Sequence, residues 1–521
     1  MKTSIYRKLI LIILVFAFSL SLAACGGSSG DESGNSSGGA SSENTNRNSS
    51  VEMPYTPGAS FNPISGTNLY NLAAADLMFE GLFDLDENLS PVPVLCESYS
   101  TDDGIKYTFK IKSGITFHDG SPLTASDCVN SIVQAKGNTN YVRRFSCIKG
   151  ISASSDTTFN VTLWYENYSL PALLSTKIVK SGTAGNSVPV GTGPYSYSSD
   201  DSGTYLVPYS GYRDQSRIFT DKITLVDITS LDFTSAFESG GLDIVSVDPT
   251  EKIFKNVNTD YDMHYYSTTT LQYIGFNFNS SIIGDSTVRT AISSLINREY
   301  IANSIMSNSL GASPLILNPI LSSSYDTAWE KDRGYNVKKA EQLLDEAGIK
   351  DFDGDGWLDY PRDGGDYSGI TINFIVNKES SEKVEAAEYI TQSLQDAGFN
   401  VRLNILEWAE YLMALTEGNY TMYYAEVGIA PDYNFAPLLE PDGTLNYGGL
   451  SSEEYSDLVY AFLGAKTPEE KLSAAKSLCE TVADKSPLIP IGYKKYAVMV
   501  QRQILDEFNP NCSNLFYRKN K

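Results

Sequence analysis

Phe79 to Ile132 reads FEGLFDLDENLSPVPVLCESYSTDDGIKYTFKIKSGITFHDGSPLTASDCVNSI. It opens at the end of an Ala/Leu-rich helix predicted over Asn71 to Glu80, which runs into Gly81. Past an acidic turn, Ile105, Tyr107, Phe109 and Ile111 alternate with other residues as a half-buried strand does. Thr124-Ala125-Ser126-Asp127 then sets a capping box ahead of Val129, Ile132 and Val133, so a helix begins there.

The order of these blocks is specific: an E-G-L helix end, an acidic turn, P-x-L-x-E-S, D-D-G-x-x-Y-T-F, F-H-D-G and T-A-x-D. Together they resemble the extracytoplasmic solute-binding proteins of peptide ABC transporters, the oligopeptide- and dipeptide-binding family (solute-binding family 5). The same order continues through Val190-Gly191-Thr192-Gly193-Pro194-Tyr195, the strand Lys222 to Ile228 and the alternating Gln272 to Asn279. Val288-Arg289-Thr290-Ala291 resembles the family's V-R-x-A helix, with Asn297 where an aspartate is usual. Asn336 caps a helix that stops at Gly348, and Thr467-Pro468-Glu469-Glu470 opens another. The resemblance implies an α/β fold, bilobal and periplasmic-binding-protein-like, with two lobes, a hinge and an extra subdomain. On that implication 50–84, 189–278 and 485–521 form lobe I, 85–188 a subdomain on it, and 279–484 lobe II.

Lys2, Arg7 and Lys8 precede the apolar run Leu9 to Phe18, which is short for a spanning helix and fits a secretory signal over 1–24. Leu22-Ala23-Ala24-Cys25 resembles a bacterial lipobox, so Cys25 is expected to carry lipid and anchor the exported chain at the outer face of the cytoplasmic membrane. Residues 25–50 are almost wholly Gly, Ser, Asn, Thr and acidic, a flexible tether unable to build a core. Gly26 to Gly30 matches a hydrolase G-x-S-x-G by accident, lacking the strand and helix that give it meaning. With 521 residues the chain expects two or three domains. A formal net charge of −24 at pH 7 argues against nucleic acid and against a protein that hugs anionic lipid. Besides Cys25 stand Cys96, Cys128, Cys147, Cys479 and Cys512, with no C-x-x-C spacing and no readable disulfide framework.

Tyr420 to Pro437, YTMYYAEVGIAPDYNFAP, reads as an alternating strand followed by a Gly-Ile-Ala-Pro-Asp turn. Gly428 permits close backbone approach, and Pro431 cannot donate to a ladder, so the strand ends in a cleft or at an edge. Asp432 alone reads as readily as a turn former or helix cap as it does as a ligand-binding carboxylate. The resemblance gives it a role: Asp432-Tyr433 matches the family's D-Y pair, whose aspartate meets the ligand's α-ammonium. It likewise places Gly428, Ile429 and Ala430 along the ligand, with Ile429 where relatives often carry a second tryptophan, and Trp408 at the cavity wall. Lys378, between a strand and the helix Ser381 to Gln395, stands close to where dipeptide-binding relatives place a basic residue for the peptide carboxylate. Asp351, Asp353, Asp355 and Asp359 fall at positions 1, 3, 5 and 9 of a calcium-type loop, but Arg362 takes the place of the bidentate glutamate, so a structural turn is expected. The two histidines, His118 and His264, carry no ligand pattern, and no H-E-x-x-H or Walker sequence is present.

The resemblance therefore implies a monomeric, lipid-anchored receptor that captures a peptide between its lobes and delivers it to an ABC permease driven by an ATPase. No cofactor and no chemistry are expected, because no nucleophile-base-orienter set is available for a secreted hydrolase. The alternatives are the same fold holding an oligosaccharide, an opine-like molecule or a metal chelate, or a surface signalling lipoprotein.

Overall fold

The structure is a computed structural model, and it describes residues 50–251, 257–280, 282–361, 366–501, 504 and 509–518. The signal sequence, Cys25, the tether before Ser50 and Arg362 lie outside the described residues. Among those described, no helix is long and apolar enough to cross a membrane.

One sheet carries the architecture. Its principal strands are β1 (Ile244–Val247), β2 (Tyr261–Phe276), β3 (Thr371–Asn377), β4 (Asn400–Leu406), β5 (Met422–Gly428) and β6 (Ile489–Gln501). In space they run β1-β6-β2-β5-β3-β4, with Leu310–Ala312 paired on β6. β2 has 16 residues, roughly 50 Å when extended, which is long enough to serve both lobes. Its first part, Tyr261 to Ser267, pairs with Lys495 to Gln501, and Leu271 to Ile274 pairs with Ile489 to Tyr493. Between them the ladder breaks. Side chains satisfy the backbone there: Thr268 Oγ1 donates to the Lys494 carbonyl at 2.8 Å, and Asn318 Nδ2 to the Thr268 carbonyl at 3.1 Å. We place the change of lobe at this break, where the expectation set it after 278, and near Lys494 on β6. We propose those positions as the lobe limits.

The first lobe adds a sheet of Val51–Tyr55, Ile223–Asp227, Gly203–Pro208 and Tyr195–Asp200. Beside it stands a second sheet of Cys96–Ser100, Lys106–Ile111, Thr158–Leu163 and Ile148–Ala153, packed against helix α1 (Ala125–Gly137). Tyr107, Phe109 and Ile111 are all buried, as their alternation predicts. One hydrophobic cluster joins them to Phe79, Leu82, Tyr195 and Leu225, so the subdomain shares the lobe's core. At the start of α1 the Asp127 carboxylate accepts the Thr124 N–H at 3.0 Å, closing the expected cap. The helix expected over Asn71 to Glu80 spans Leu69–Ala75 instead. It ends at Asp76, whose carboxylate accepts the Leu515 N–H at 3.0 Å and faces Lys177 at 3.6 Å.

In the second lobe the two faces of β5 build two cores. Met422 and Tyr424 pack with Val288 and Ile292 of α2 (Ser286–Ser294) and Ile390 and Leu394 of α3 (Ser381–Asp396). Tyr423 and Val427 pack the other way, with Tyr411 of α4 (Trp408–Glu417), Phe462 of α5 (Glu454–Gly464) and Leu478 of α6 (Pro468–Lys485). Arg289 of the V-R-x-A block is buried and donates to the carbonyls of Gly284, Lys485 and Ser486, so its role is to tie α2 to the end of α6.

Gly275 and Gly428 lie on paired strands yet differ in what surrounds them. A Cβ at Gly275 would sit 2.1 Å from the Tyr423 ring, whereas one at Gly428 would meet nothing within 4 Å. Gly275→Ala is therefore expected to lower unfolding free energy by about 1–3 kcal/mol through overpacking, and Gly428→Ala to change it by less than about 0.5 kcal/mol. Urea titration of both variants checks this.

Candidate functional site

β5 is paired on both sides only at its start. Against β2 it runs in register from Met422 to Gly428, but against β3 only Met422 and Tyr423 are matched. Ile429 N–H donates to Thr269 O at 2.9 Å, which puts the odd-numbered backbone groups of β5 toward β2. The N–H and C=O of Glu426 and Gly428 consequently face the other side, where no described strand lies. The Tyr411 hydroxyl closes the gap two residues earlier, donating to the Tyr424 carbonyl at 2.8 Å. Beyond it the edge is open, and glycine at 428 keeps its approach clear of any side chain.

The turn after β5 meets the first lobe's subdomain. Asp432 is 3% exposed, and its Oδ2 accepts from Asn167 Nδ2 at 2.8 Å while Oδ1 accepts the Asn434 N–H at 3.2 Å. Burial pushes this carboxyl above its usual range, and Asn167, the Asn434 N–H and the charge of Lys471 pull it partly back. Lys471 donates to Ser169 Oγ at 3.0 Å and to the Phe462 carbonyl at 2.6 Å, and burial pushes its amine down to about 7. Asn434 Nδ2 donates to the Tyr165 hydroxyl at 2.9 Å, and Tyr165 packs edge-on against Tyr460. Residues 165–169 thus seat the subdomain on the second lobe around Asp432.

The other expected residues divide. Tyr433 adopts φ +58°, a conformation costly for a bulky residue, and its ring is held in the core between Phe435 and Tyr493. Ile429 is buried in the same core, and Ala430 packs against the first lobe's cluster. Trp408 opens α4 and stacks on Tyr411 at 5.7 Å, beside the open edge. Lys378 is exposed and ion-paired with Glu407 at the surface. Asp351, Asp353 and Asp359 converge within 4.8 Å, without Asp355. Their oxygens already accept N–H groups of the loop, Gly354 and Gly356 on Asp351, Asp355 on Asp353 and Phe352 on Asp359. His118 Nε2 lies 3.0 Å from the Gly193 carbonyl, and burial pushes its imidazole down. The five described cysteines are unbonded.

Asn167, Lys471, Tyr411 and Arg143 belong to this site and carried no signal in the sequence. Arg143 lines a small cavity, of ≈ 20 Å³, together with Val427, Gly428, Ile429, Ala430 and Asn434.

A two-lobed chain whose lobes share a strand pair, with an open strand edge at their contact, has the build of a binding protein. The family model described as "Bacterial extracellular solute-binding proteins, family 5 Middle" matches residues 90–445, and the chain belongs to that family. Its relatives are solute-binding proteins and not enzymes. The oligopeptide-binding protein AppA of Bacillus subtilis (strain 168) is 26% identical over 462 residues, covering 80% of this chain and 79% of its own length. The structure of AppA in complex with a nonapeptide superposes with a TM-score of 0.59 at 21% identity, covering 87% of this chain and 94% of that one. The glutathione-binding protein GsiB of Shigella flexneri serotype 5b (strain 8401) is 24% identical over 464 residues, covering 83% of this chain and 86% of its own length. NikZ from Campylobacter jejuni in complex with Ni(L-His) has a TM-score of 0.62 at 19% identity, covering 87% of this chain and 94% of that one.

Lys471 gives the lobe contact a pH signature. The unfolded chain keeps a proton on this amine up to about pH 10.4, whereas the folded chain keeps it only to about 7. Between those values the unfolded state binds more protons, so stability rises with pH. Melting temperatures between pH 7 and 9 are expected to climb less in Lys471→Met than in wild type. Equal slopes would show that the amine is not depressed.

Proposed function

We propose that the chain is the substrate-binding component of an ABC importer, anchored outside the cytoplasmic membrane by lipid on Cys25, and that it delivers a captured peptide to the permease. The observation that carries this reading is the unpaired backbone of Glu426 and Gly428 at the lobe contact. An extended peptide adding there as a strand gains main-chain hydrogen bonds whatever its side chains, which suits a receptor for many sequences. The nonapeptide bound by AppA supports the same ligand class.

Asp432 is the proposed partner of the peptide's α-ammonium. A free α-amino group is charged near neutral pH, and enclosing it is costly unless a carboxylate meets it. Here that carboxylate is buried with an amide as its nearest partner, so an ammonium entering while the lobes are apart would replace Asn167 with a charge-assisted bond. Contacts to both lobes would then favour the closed form. Lys378 is left out of the binding set, because Glu407 already neutralises it at the surface. A metal chelate, as NikZ binds, is the second reading, supported by the unpaired guanidinium at the cavity.

The test uses a peptide recovered from the purified protein, with calorimetry on its free and N-acetylated forms. Losing one partner of a buried charge pair costs about 3–5 kcal/mol, a hundredfold or more in affinity. Asp432→Asn is expected to weaken the free peptide by at least that factor and the acetylated form by less than about threefold. Equal losses, or none, would remove Asp432 as the ammonium partner.

A further inference from the structure

Two adjacent arginines follow α1, and their guanidinium groups have different surroundings. Arg144 donates to the Leu173 carbonyl at 2.8 Å, the Ala172 carbonyl at 3.2 Å and the Ser175 hydroxyl, so its place in the subdomain is fully explained. Among the described residues, the Arg143 guanidinium has no hydrogen bond and no ion pair. It is nonetheless partly buried, and it points at the lobe contact, lining the cavity with Gly428, Ala430 and Asn434.

Guanidinium groups are kept from water in proteins by planar acceptors, and one left without them is poised for a partner that is absent from the chain. The groups acting on Arg143 are phenols: burial pushes it below the usual guanidinium range, and the hydroxyls of Tyr447 and Tyr273 pull weakly the other way. Asp432 acts instead on Arg144 and Lys471, so the carboxylate across the lobe contact does not serve Arg143. The cavity, at ≈ 20 Å³, has room for about one water, so a larger partner enters only when the lobes part.

We infer that Arg143 is a specificity residue that binds a carboxylate of the captured solute, making acidic peptides the preferred ligands. The inference rests on the reading that a peptide lies along the open edge of β5. Arg143 stands in the first lobe's subdomain and Asp432 in the second lobe, so a solute bearing both an ammonium and a carboxylate engages both lobes through charges. That arrangement couples charge recognition to closure. Either a side-chain carboxylate or the C-terminal carboxylate fits this chemistry, and the test separates them.

The purified protein is offered an equimolar mixture of peptides of two to six residues in matched pairs, Glu against Gln, Asp against Asn, and C-terminal acid against amide. Small non-peptide acids and their amides are included, and bound ligands are identified by mass spectrometry after gel filtration. Wild type is expected to enrich acid over amide members at least tenfold, in the side-chain pairs or the C-terminal pairs according to the source of the carboxylate. Arg143→Gln is expected to abolish the enrichment while still capturing neutral members, and Arg143→Lys to restore part of it. Unchanged melting temperatures would show that the variants fold, as expected for a side chain with no internal bonds. Capture of peptides without acid preference would overturn the role of Arg143 and leave the peptide reading standing. Capture of non-peptide acids alone would support Arg143 and overturn the peptide reading, and no capture at all would count against both.

Discussion

Backbone N–H and C=O groups are obligatory hydrogen-bonding groups, and a strand that leaves them open at the contact between two lobes leaves them to water or to a ligand. β5 is built that way at Glu426 and Gly428, although Tyr423, three residues before Glu426, is paired on both sides. The strand can hold this posture because its side chains are committed to two opposite cores, with Met422 and Tyr424 in one and Tyr423 and Val427 in the other. The same contact gathers three further groups whose burial is unfavourable: the carboxyl of Asp432, the amine of Lys471 and the guanidinium of Arg143. A surface optimised for stability alone would pair or remove them. On the proposed reading, a surface that closes on a charged solute keeps them.

The open edge is also wired to the hinge. Lys494 lies on β6 at the ladder break and pairs with Asp248 of the first lobe at 2.7 Å. Burial alone would push this ammonium down, but Tyr496, Glu426 and Asp248 hold it above the usual lysine range. Glu426 belongs to β5, and its carboxylate also lies 3.6 Å from Lys383 at the start of α3. The strand proposed to bind solute thus acts electrostatically, through one side chain, on the charge that bridges the lobes. On the proposed reading, moving the lobes would change the surroundings of that carboxylate and so add to the solute's own contacts in biasing open and closed forms.

Much of the fold was legible because its signals are local. Thr124 with Asp127, Asn336, and Thr467 with Glu470 each announce a helix within four residues, and the structure places helices at all three. The strand and turn at Tyr420 to Asp432 were readable for the same reason. What escaped depends on distant partners. Asn167 reaches Asp432 across 265 positions, and nothing near Asn167 hints at it. Arg143 and Arg144 are indistinguishable in sequence, yet one is satisfied by carbonyls and the other faces a cavity. The long β2 was recognised only from Gln272 onward, because Tyr261 to Thr270 crosses from one lobe to the other and alternates poorly in burial. The helix after Leu69 stops early, at Asp76, whose carboxylate partners Lys177 and Leu515 are both distant in the chain.

The central claim is that solute pairs with the open edge of β5, and amide hydrogen exchange reads this directly. Val427 and Ile429 already face β2, so their amides should exchange slowly with or without ligand. Glu426 and Gly428 should exchange fast in the ligand-free protein and slow by at least about tenfold once a peptide is captured. Protection gained equally by all four, or by none, would contradict strand pairing at this edge.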